Sequence, residues 1–365
     1  MAENGQPTLG DVARAAGVSL ATASRALNGA TQVRADLRER VRVAAERLAY
    51  SPNAHARALA KASNAGVGVI CHDIGDPYFA GIARGVMRAA ARHDLQVILG
   101  STFREPLREI SYASMMRGQR VRAMLLIGSG FEDRAVQESL RREVDLYRAA
   151  GGRVAVISRH RGLRADAVLP ENRAGAADLA RALLGLGHRS FAVLSGPLSL
   201  TTVVDRLGGF RSALASWGIE VSQVVEGAFT RDGGYEAARE LLRRGLAATC
   251  VFAATDVMAI GALAAFREAG LRVPEDVSLA GFDDIPMIRD LTPPLTTVAL
   301  PLEDLGERVM ELALLPDRPA RARIERVTGR VVLRASTGAP PSGAPHEGHP
   351  HQPEPHEGDP HEGPR

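Results

Sequence analysis

Residues 8–28 read TLGDVARAAGVSLATASRALN, and the rest of the chain is organised around them. Val12, Ala16, Val18, Ala23 and Ala26 fall where two short helices can share a small core. Ala13 is small where the helices must approach, and Gly17 stands at the turn, where a residue without Cβ takes positive φ at no steric cost. Thr8 followed three residues on by Asp11 is a capping-box start, and Ser19 can cap the second helix. Once that core is buried, Leu20, Ala21, Thr22, Ser24 and Arg25 remain on the outer side of the second helix. This is the layout of a helix-turn-helix whose second helix enters the DNA major groove. An ordinary helical hairpin would need only part of it; here cap, turn glycine and apolar set agree.

Charge supports the same reading. The chain has 365 residues and a formal net charge of +3. Residues 1–61 hold nine Lys/Arg against five acids, whereas the remaining residues hold 36 basic and 37 acidic groups. The positive excess therefore sits in the head, where a phosphate backbone is the partner it serves. The chain is long enough for two or three domains, and 45% hydrophobic with 24% charged residues is a soluble globular composition. MAENGQPTLG has no apolar signal core and no run reaches membrane-spanning length, so the expectation is a cytoplasmic protein with no membrane partner. Cys71 and Cys250, both in apolar runs, read as buried thiols rather than a disulfide framework or metal site.

After Asn28-Gly29, Leu37, Val41, Ala44/Ala45 and Leu48 repeat at helical spacing, which predicts a third amphipathic helix over 34–49 with mostly solvated arginines. Ser51 can cap and Pro52 suits a first helical position, so residues 52–60 can form a helix. So short a helix does not hold alone in water, which leaves a plain linker as the alternative. From Gly66 short apolar runs alternate with helical segments. The strands expected are 67–71, 96–99, 123–127, 154–157, 191–194, 250–253 and 277–280. The helices expected between them are 80–92, 110–117, 173–186, 207–217, 234–243 and 258–269. Such alternation gives parallel sheets covered on both faces, with ligands beyond the carboxyl ends of the strands. Those ends read HDIGDPYF (72–79), SRHR (158–161), SGP (195–197), ATD (254–256) and GFDD (281–284).

TLGDVARAAGVSLATASRALNG resembles the head of the lac repressor/purine repressor family of bacterial transcription regulators, and the resemblance continues to about Gly338. It implies an α/β chain: a three-helix helix-turn-helix head over 1–50, a hinge helix over 51–61, and a two-lobed periplasmic-binding-protein-like effector and dimerisation domain over 62–338. The lobes would be 66–162 plus 297–323 and 166–292 plus 327–336, with crossings near 162–165, 292–297 and 323–327. Partners implied are palindromic operator DNA, a second copy of the chain, and a small polar effector, a sugar first and a nucleoside or base second. DNA contacts would come from Thr8, Ser19, Leu20, Ala21, Thr22, Ser24, Arg25, Asn28, Asn53, Ala56, Arg57 and Leu59, the last as a minor-groove wedge. His55 departs from the branched apolar residue often found in the hinge.

For the effector, the resemblance implies Arg206 as a clamp on ligand oxygens, Asp283 as an acceptor for hydroxyls or ring N–H groups, and Tyr78 and Phe79 as an aromatic pair. Asp73, Thr255 and Asp256 are further candidates at strand ends. Ser158 stands where many members have Asp, and Thr255 where many have Asn. The ligand is therefore expected to differ from that of the commonest sugar-responsive members.

Residues 339–365 are rich in Pro, Gly, His and Glu, with PHEG at 345–348, 355–358 and 360–363. With no apolar residue to build a core, they read as a disordered tail. Enzymatic signatures are missing: Ser195-Gly196 lacks a nucleophile-elbow pattern, His72 and His160 lack metal-ligand spacing, and there is no GxxxxGK[ST] loop. The expectation is a regulator that is not an enzyme and needs neither metal nor cofactor. An effector-independent regulator and a solute-binding receptor are the alternatives.

Overall fold

The computed structural model describes residues 7–27, 33–50, 66–316 and 321–341. The hinge residues and the tail beyond residue 341 lie outside the described residues, so the readings made for them are not addressed by the fold. The chain divides into an N-terminal unit and a body.

In the N-terminal unit, α1 (Leu9–Ala16), α2 (Leu20–Leu27) and α3 (Ala35–Arg47) enclose a small core. Val12, Ala23 and Val41 are fully buried in it, with Leu9, Val18, Leu37 and Leu48 packed around them. The capping box at Thr8 forms: the Asp11 N–H donates to Thr8 Oγ1 (3.3 Å) and the Thr8 N–H to Asp11 Oδ2 (3.0 Å). Gly17 ends α1 at φ +63°, and the Val18 N–H returns to the Ala13 carbonyl (3.0 Å). One exposed α3 arginine reaches back to α1. Arg40 donates Nη2 to the Ala16 carbonyl at 2.6 Å, satisfying the end of α1 from a helix distant in sequence.

The body begins with β1 (Gly66–Cys71), α4 (Pro77–Arg92), β2 (Gln96–Ser101), α5 (Pro106–Gly118), β3 (Ala123–Ile127), α6 (Arg134–Ala149) and β4 (Arg153–Ile157). It continues through β5 (Asp166–Pro170), α7 (Asn172–Gly185), β6 (Phe191–Ser195), α8 (Thr201–Ala215), β7 (Val221–Glu226) and α9 (Arg231–Arg243). Last come β8 (Cys250–Ala253), α10 (Asp256–Glu268), β9 (Ser278–Ala280), a 3₁₀ turn Pro286–Arg289, β10 (Thr297–Ala299), α11 (Leu302–Leu314), β11 (Ile324–Val327) and β12 (Arg330–Val332).

Two sheets define two lobes. One has the order β11-β5-β4-β3-β1-β2 and the other β7-β6-β8-β9. The pairs β1–β3, β3–β4, β4–β5 and β5–β11 are parallel, as are all pairs of the second sheet. The buried runs AMLLI, FAVLS and CVFA are apolar on both faces because helices cover both sides. In the first lobe α11 lies against α4 so closely that a Cβ on Gly85 or Gly306 would strike the other helix's backbone.

The lobe boundaries differ from the expected ones. Residues 166–170, expected in the second lobe, form β5 and pair with β4; residues 324–327 form β11 beside β5. Residues 297–299, expected in the first lobe, form β10, which pairs antiparallel with β12 and bridges Ala280 and Asp283 through Thr296 and Ala299. Each crossing therefore falls a few residues later: after Pro170, between Ala299 and Leu302, and between Val327 and Arg330. The physical reason is that β5 and β11 pair in parallel register with β4 and β5, and loop composition does not mark which sheet edge a strand joins. Cys71 and Cys250 are buried free thiols. Among the described residues no helix is long and apolar enough to cross a membrane.

Candidate DNA-reading helix and effector cavity

α2 exposes the side its sequence selects. Ser19, Leu20, Ala21 and Arg25 are exposed and Thr22 and Ser24 half-buried, while Ala23 and Ala26 face the core. Ser19 Oγ accepts the Thr22 N–H (3.1 Å), so the expected cap is present. Arg25 lies along its own helix, Nε donating to the Ala21 carbonyl at 3.2 Å. Thr8 is exposed at the start of α1. Asn28, Asn53, Ala56, Arg57 and Leu59 lie outside the described residues.

In the body, a cavity opens between the carboxyl ends of the two sheets. Tyr78, Phe79, Ser158, Arg206, Thr255 and Asp283 all line it, so six of the eight expected effector residues converge although the chain separates them by up to some two hundred positions. Arg206, only 2% exposed, rises from α8. Its Nε donates to Asn172 Oδ1 (2.9 Å), Nη1 to the Ala254 carbonyl (2.7 Å) and Nη2 to Asp283 Oδ1 (2.6 Å). Phe282 lies under the guanidinium, its ring centroid 3.9 Å from Cζ. Three of five N–H groups are thereby held and the planar fork is fixed in orientation.

Asp283 sits on strained backbone, with φ +119° followed by +58° at Asp284. The crossing segment holds it there: the Asp283 N–H donates to the Val298 carbonyl (2.9 Å), and Leu300 N–H donates back to Asp283 O (3.3 Å). Burial pushes its carboxyl up to about 6, with the Arg206 cation opposing the shift. It is therefore an ionised acceptor at neutral pH. Thr255 caps α10 by accepting the Met258 N–H (3.3 Å). Ser158 takes φ +77° at the end of β4.

Two expected residues do not line the cavity. Asp256 lies behind it, where Oδ2 accepts the Ile285 N–H (3.0 Å) and Oδ1 the Thr297 hydroxyl (2.7 Å). It pins the Asp283 loop to β10, and burial pushes its carboxyl up to about 8. Asp73 accepts the Gly75 N–H (3.0 Å) and pairs with Arg104 (3.4 Å). Seven residues not expected there complete the cavity wall: His72, Asp76, Arg104, Gly128, Ser129, Thr202 and Phe229. His72 and Asp76 lie within the HDIGDPYF stretch already singled out, and Thr202 is one helical turn before Arg206. Arg104 and Phe229 carried no signal, because each follows an edge strand in an irregular loop.

One rim of the cavity is stitched across the lobes. Glu132 N–H donates to Ser199 O (2.8 Å), Thr201 N–H to Gly130 O (3.1 Å), and Arg159 pairs with Asp205 (2.7 Å). Among the described residues no group of three or more His, Cys, Asp or Glu is arranged to hold a metal.

A helix-turn-helix unit followed by a two-lobed α/β body with a polar inter-lobe cavity is the architecture of a ligand-gated DNA-binding regulator. Residues 8–53 match the bacterial regulatory proteins of the lacI family, and residues 180–337 match the periplasmic binding protein-like domain. The chain is 35% identical over 309 residues to the HTH-type transcriptional regulator GalS of Salmonella typhimurium, covering 84% of this chain and 89% of GalS. A transcriptional regulator CelR–cellobiose complex superposes with a TM-score of 0.66 at 31% identity over 90% of this chain and 99% of that one. The lac repressor dimer bound to operator and the anti-inducer ONPF gives 0.78 at 26% identity over 92% of this chain and all of the other (100%). The chain belongs to the lacI family of bacterial regulatory proteins. It is a DNA-binding transcription regulator with a helix-turn-helix head and a periplasmic-binding-protein-like body.

Proposed function

We propose that this protein binds a near-palindromic operator as a homodimer in the cytoplasm, and that a small polar effector in the inter-lobe cavity sets its operator affinity. It acts as a regulator, not as an enzyme. Thr8, Ser19, Leu20, Ala21, Thr22, Ser24 and Arg25 read or position DNA, together with Asn28 and the hinge residues Asn53, Ala56, Arg57 and Leu59. A sugar or sugar derivative is the first effector class and a nucleoside or base the second. The observation that carries this reading is the Arg206–Asp283 pair, nearly inaccessible to solvent yet facing the cavity with N–H groups and a carboxylate oxygen to spare. That combination suits vicinal hydroxyls, which both donate and accept. Ring faces can pack on Tyr78 and Phe79, whose rings meet edge to face with centroids 5.0 Å apart.

The test has two parts. Thermal shift against neutral mono- and disaccharides, nucleosides and bases identifies a binder, because a ligand of the folded state raises apparent stability by mass action. Gel shift with the operator, with and without that binder, then measures the coupling, expected at about 1–3 kcal/mol. A binder that leaves operator affinity unchanged would remove the effector from the mechanism.

A further inference from the structure

Arg104 is unexpected in this cavity, and the structure commits several features to putting it there. Phe103 and Arg104 both take left-handed backbone, φ +52° and +62°, between β2 and α5. Two consecutive non-glycine residues in that region turn the Arg104 side chain inward. Only 15% of it is exposed. Its Nη1 and Nη2 reach Asp73 Oδ2 at 3.4 Å and Asp76 Oδ2 at 3.2 Å, both long for charge-assisted bonds, while Nε is buried with no partner among the described residues. The guanidinium Cζ lies 5.9 Å from the ring centroid of Phe79 and equally 5.9 Å from that of Phe229. Phe79 begins α4 in the first lobe, whereas Phe229 follows β7 in the second. A second orphan belongs to a residue that lines the same cavity. His72 is tied to the Ser129 backbone, and its buried Nε2 has no partner among the described residues. Burial keeps that imidazole neutral, with its titration pushed down to about 4, so Nε2 is an acceptor.

We propose that Arg104 is the specificity-determining residue of the first lobe: its Nε–H donates to an effector oxygen, and its stack on Phe229 makes that contact depend on lobe closure. The inference rests on the effector reading above and extends it. A ligand oxygen on Nε and a ligand O–H on His72 Nε2 satisfy both orphans, so a hydroxyl-bearing ligand fits this wall. Asp73 and Asp76 together more than offset the Arg104 charge, and Asp283 offsets Arg206. An uncharged ligand therefore adds nothing to an already acidic set, whereas a phosphorylated one adds buried negative charge beside three carboxylates. Arg104 thus reads a hydroxyl rather than an anion.

The full-length protein is titrated calorimetrically with D-ribose, D-galactose, cellobiose and adenosine, and amide exchange is followed over residues 226–230. Arg104→Lys keeps a cation for Asp76 but has neither the fork Nε–H nor the flat face. The expected result is at least tenfold weaker binding of whichever probe the unmodified protein takes, with faster exchange at 226–230. Phe229→Leu should weaken the same probe, and the double variant should lose less than the two single losses combined. If lysine restores both readouts, Arg104 merely pairs with Asp76 and the proposal is overturned; additive losses overturn the lobe link. If the unmodified protein binds none of the four probes, the effector reading fails for these classes. The ligand-free exchange comparison then still decides the Arg104–Phe229 contact, and equal rates overturn it.

Discussion

Asp256→Asn isolates the consequence of a buried carboxyl that does not touch the cavity. In the folded chain Asp256 is fully buried and its titration is pushed up to about 8, chiefly by desolvation and secondarily by Asp283. In the unfolded chain it titrates near 3.8, the ordinary value of an aspartate. Between those limits the unfolded state has released a proton that the folded state retains. Stability must therefore fall as pH rises through that window, by about 1.4 kcal/mol per unit. Asparagine is isosteric, and after an amide flip its oxygen can accept from Ile285 N–H while its NH₂ donates to the Thr297 hydroxyl. It carries no proton linkage. Relative to the unmodified protein, Asp256→Asn should gain about 1.4 kcal/mol for each unit from pH 5 to pH 8, of order 4 kcal/mol in all. Trp217 is the only tryptophan and sits just beyond α8, in the lobe that carries Asp256, so its fluorescence in urea titrations reports the relevant unfolding. Titrating groups that do not couple to Asp256 are common to both proteins and cancel in the difference; Asp283, which does couple, adds a smaller change near pH 6. Parallel stability–pH curves would refute the reasoning, because they would mean the folded carboxyl ionises as freely as the unfolded one.

Three further outcomes are expected. Arg25→Ala should cost about 1–3 kcal/mol of operator affinity if the side chain is bidentate to guanine, with little change in binding to unrelated DNA, as measured by gel shift. Gly17→Ala places a Cβ at φ +63° and within 2.8 Å of Arg40 Nη2, so it should destabilise the head by about 1–2 kcal/mol, read from helical circular dichroism on heating. Effector affinity should be flat above pH 7 and fall as pH drops through about 6, because protonating Asp283 removes the acceptor; a calorimetric series from pH 7.5 to 5 checks it.

The head was legible because every local signal in residues 8–28 agreed: the Thr8–Asp11 box, Gly17 and Ser19 all do what their chemistry suggests. The central strands were legible for a similar reason, since two-sided burial demands unbroken apolar runs. Several strands that escaped notice lie at sheet edges; β5, paired on both sides, escaped as well, because DAVLP is a short run bounded by Asp166 and Pro170. β11 reads IERV with only Val327 buried, and β7 reads VSQVVE, so neither carries an unbroken apolar run. Two helices, α6 and α11, passed unmarked although Leu140, Val144 and Tyr147, and Leu302, Leu305 and Val309, repeat at helical spacing. Their dense charge masked a narrow apolar stripe. In the cavity, Arg206 and Asp283 were reachable by resemblance, but Asp256 was misplaced by a single position: Thr255 faces the cavity and its neighbour faces away. Arg104 was beyond reach, since two left-handed residues leave no mark in side-chain chemistry.

The close seating of α11 on α4 has a mechanical consequence. α11 starts directly after the crossing at 299–302, and glycines at 85 and 306 bring its backbone against α4. The first turn of α4 carries Tyr78 and Phe79, capped by Asp76. A twist applied at that crossing cannot be absorbed by slippage between two helices whose backbones touch. It arrives at the aromatic end of α4 as a rotation of a rigid arm some sixteen residues long. The same crossing fixes Asp283 through Val298 and Leu300. One short length of chain is therefore the fulcrum for both jaws, and an insertion of a single residue at Leu300–Pro301 should uncouple them while leaving each jaw intact.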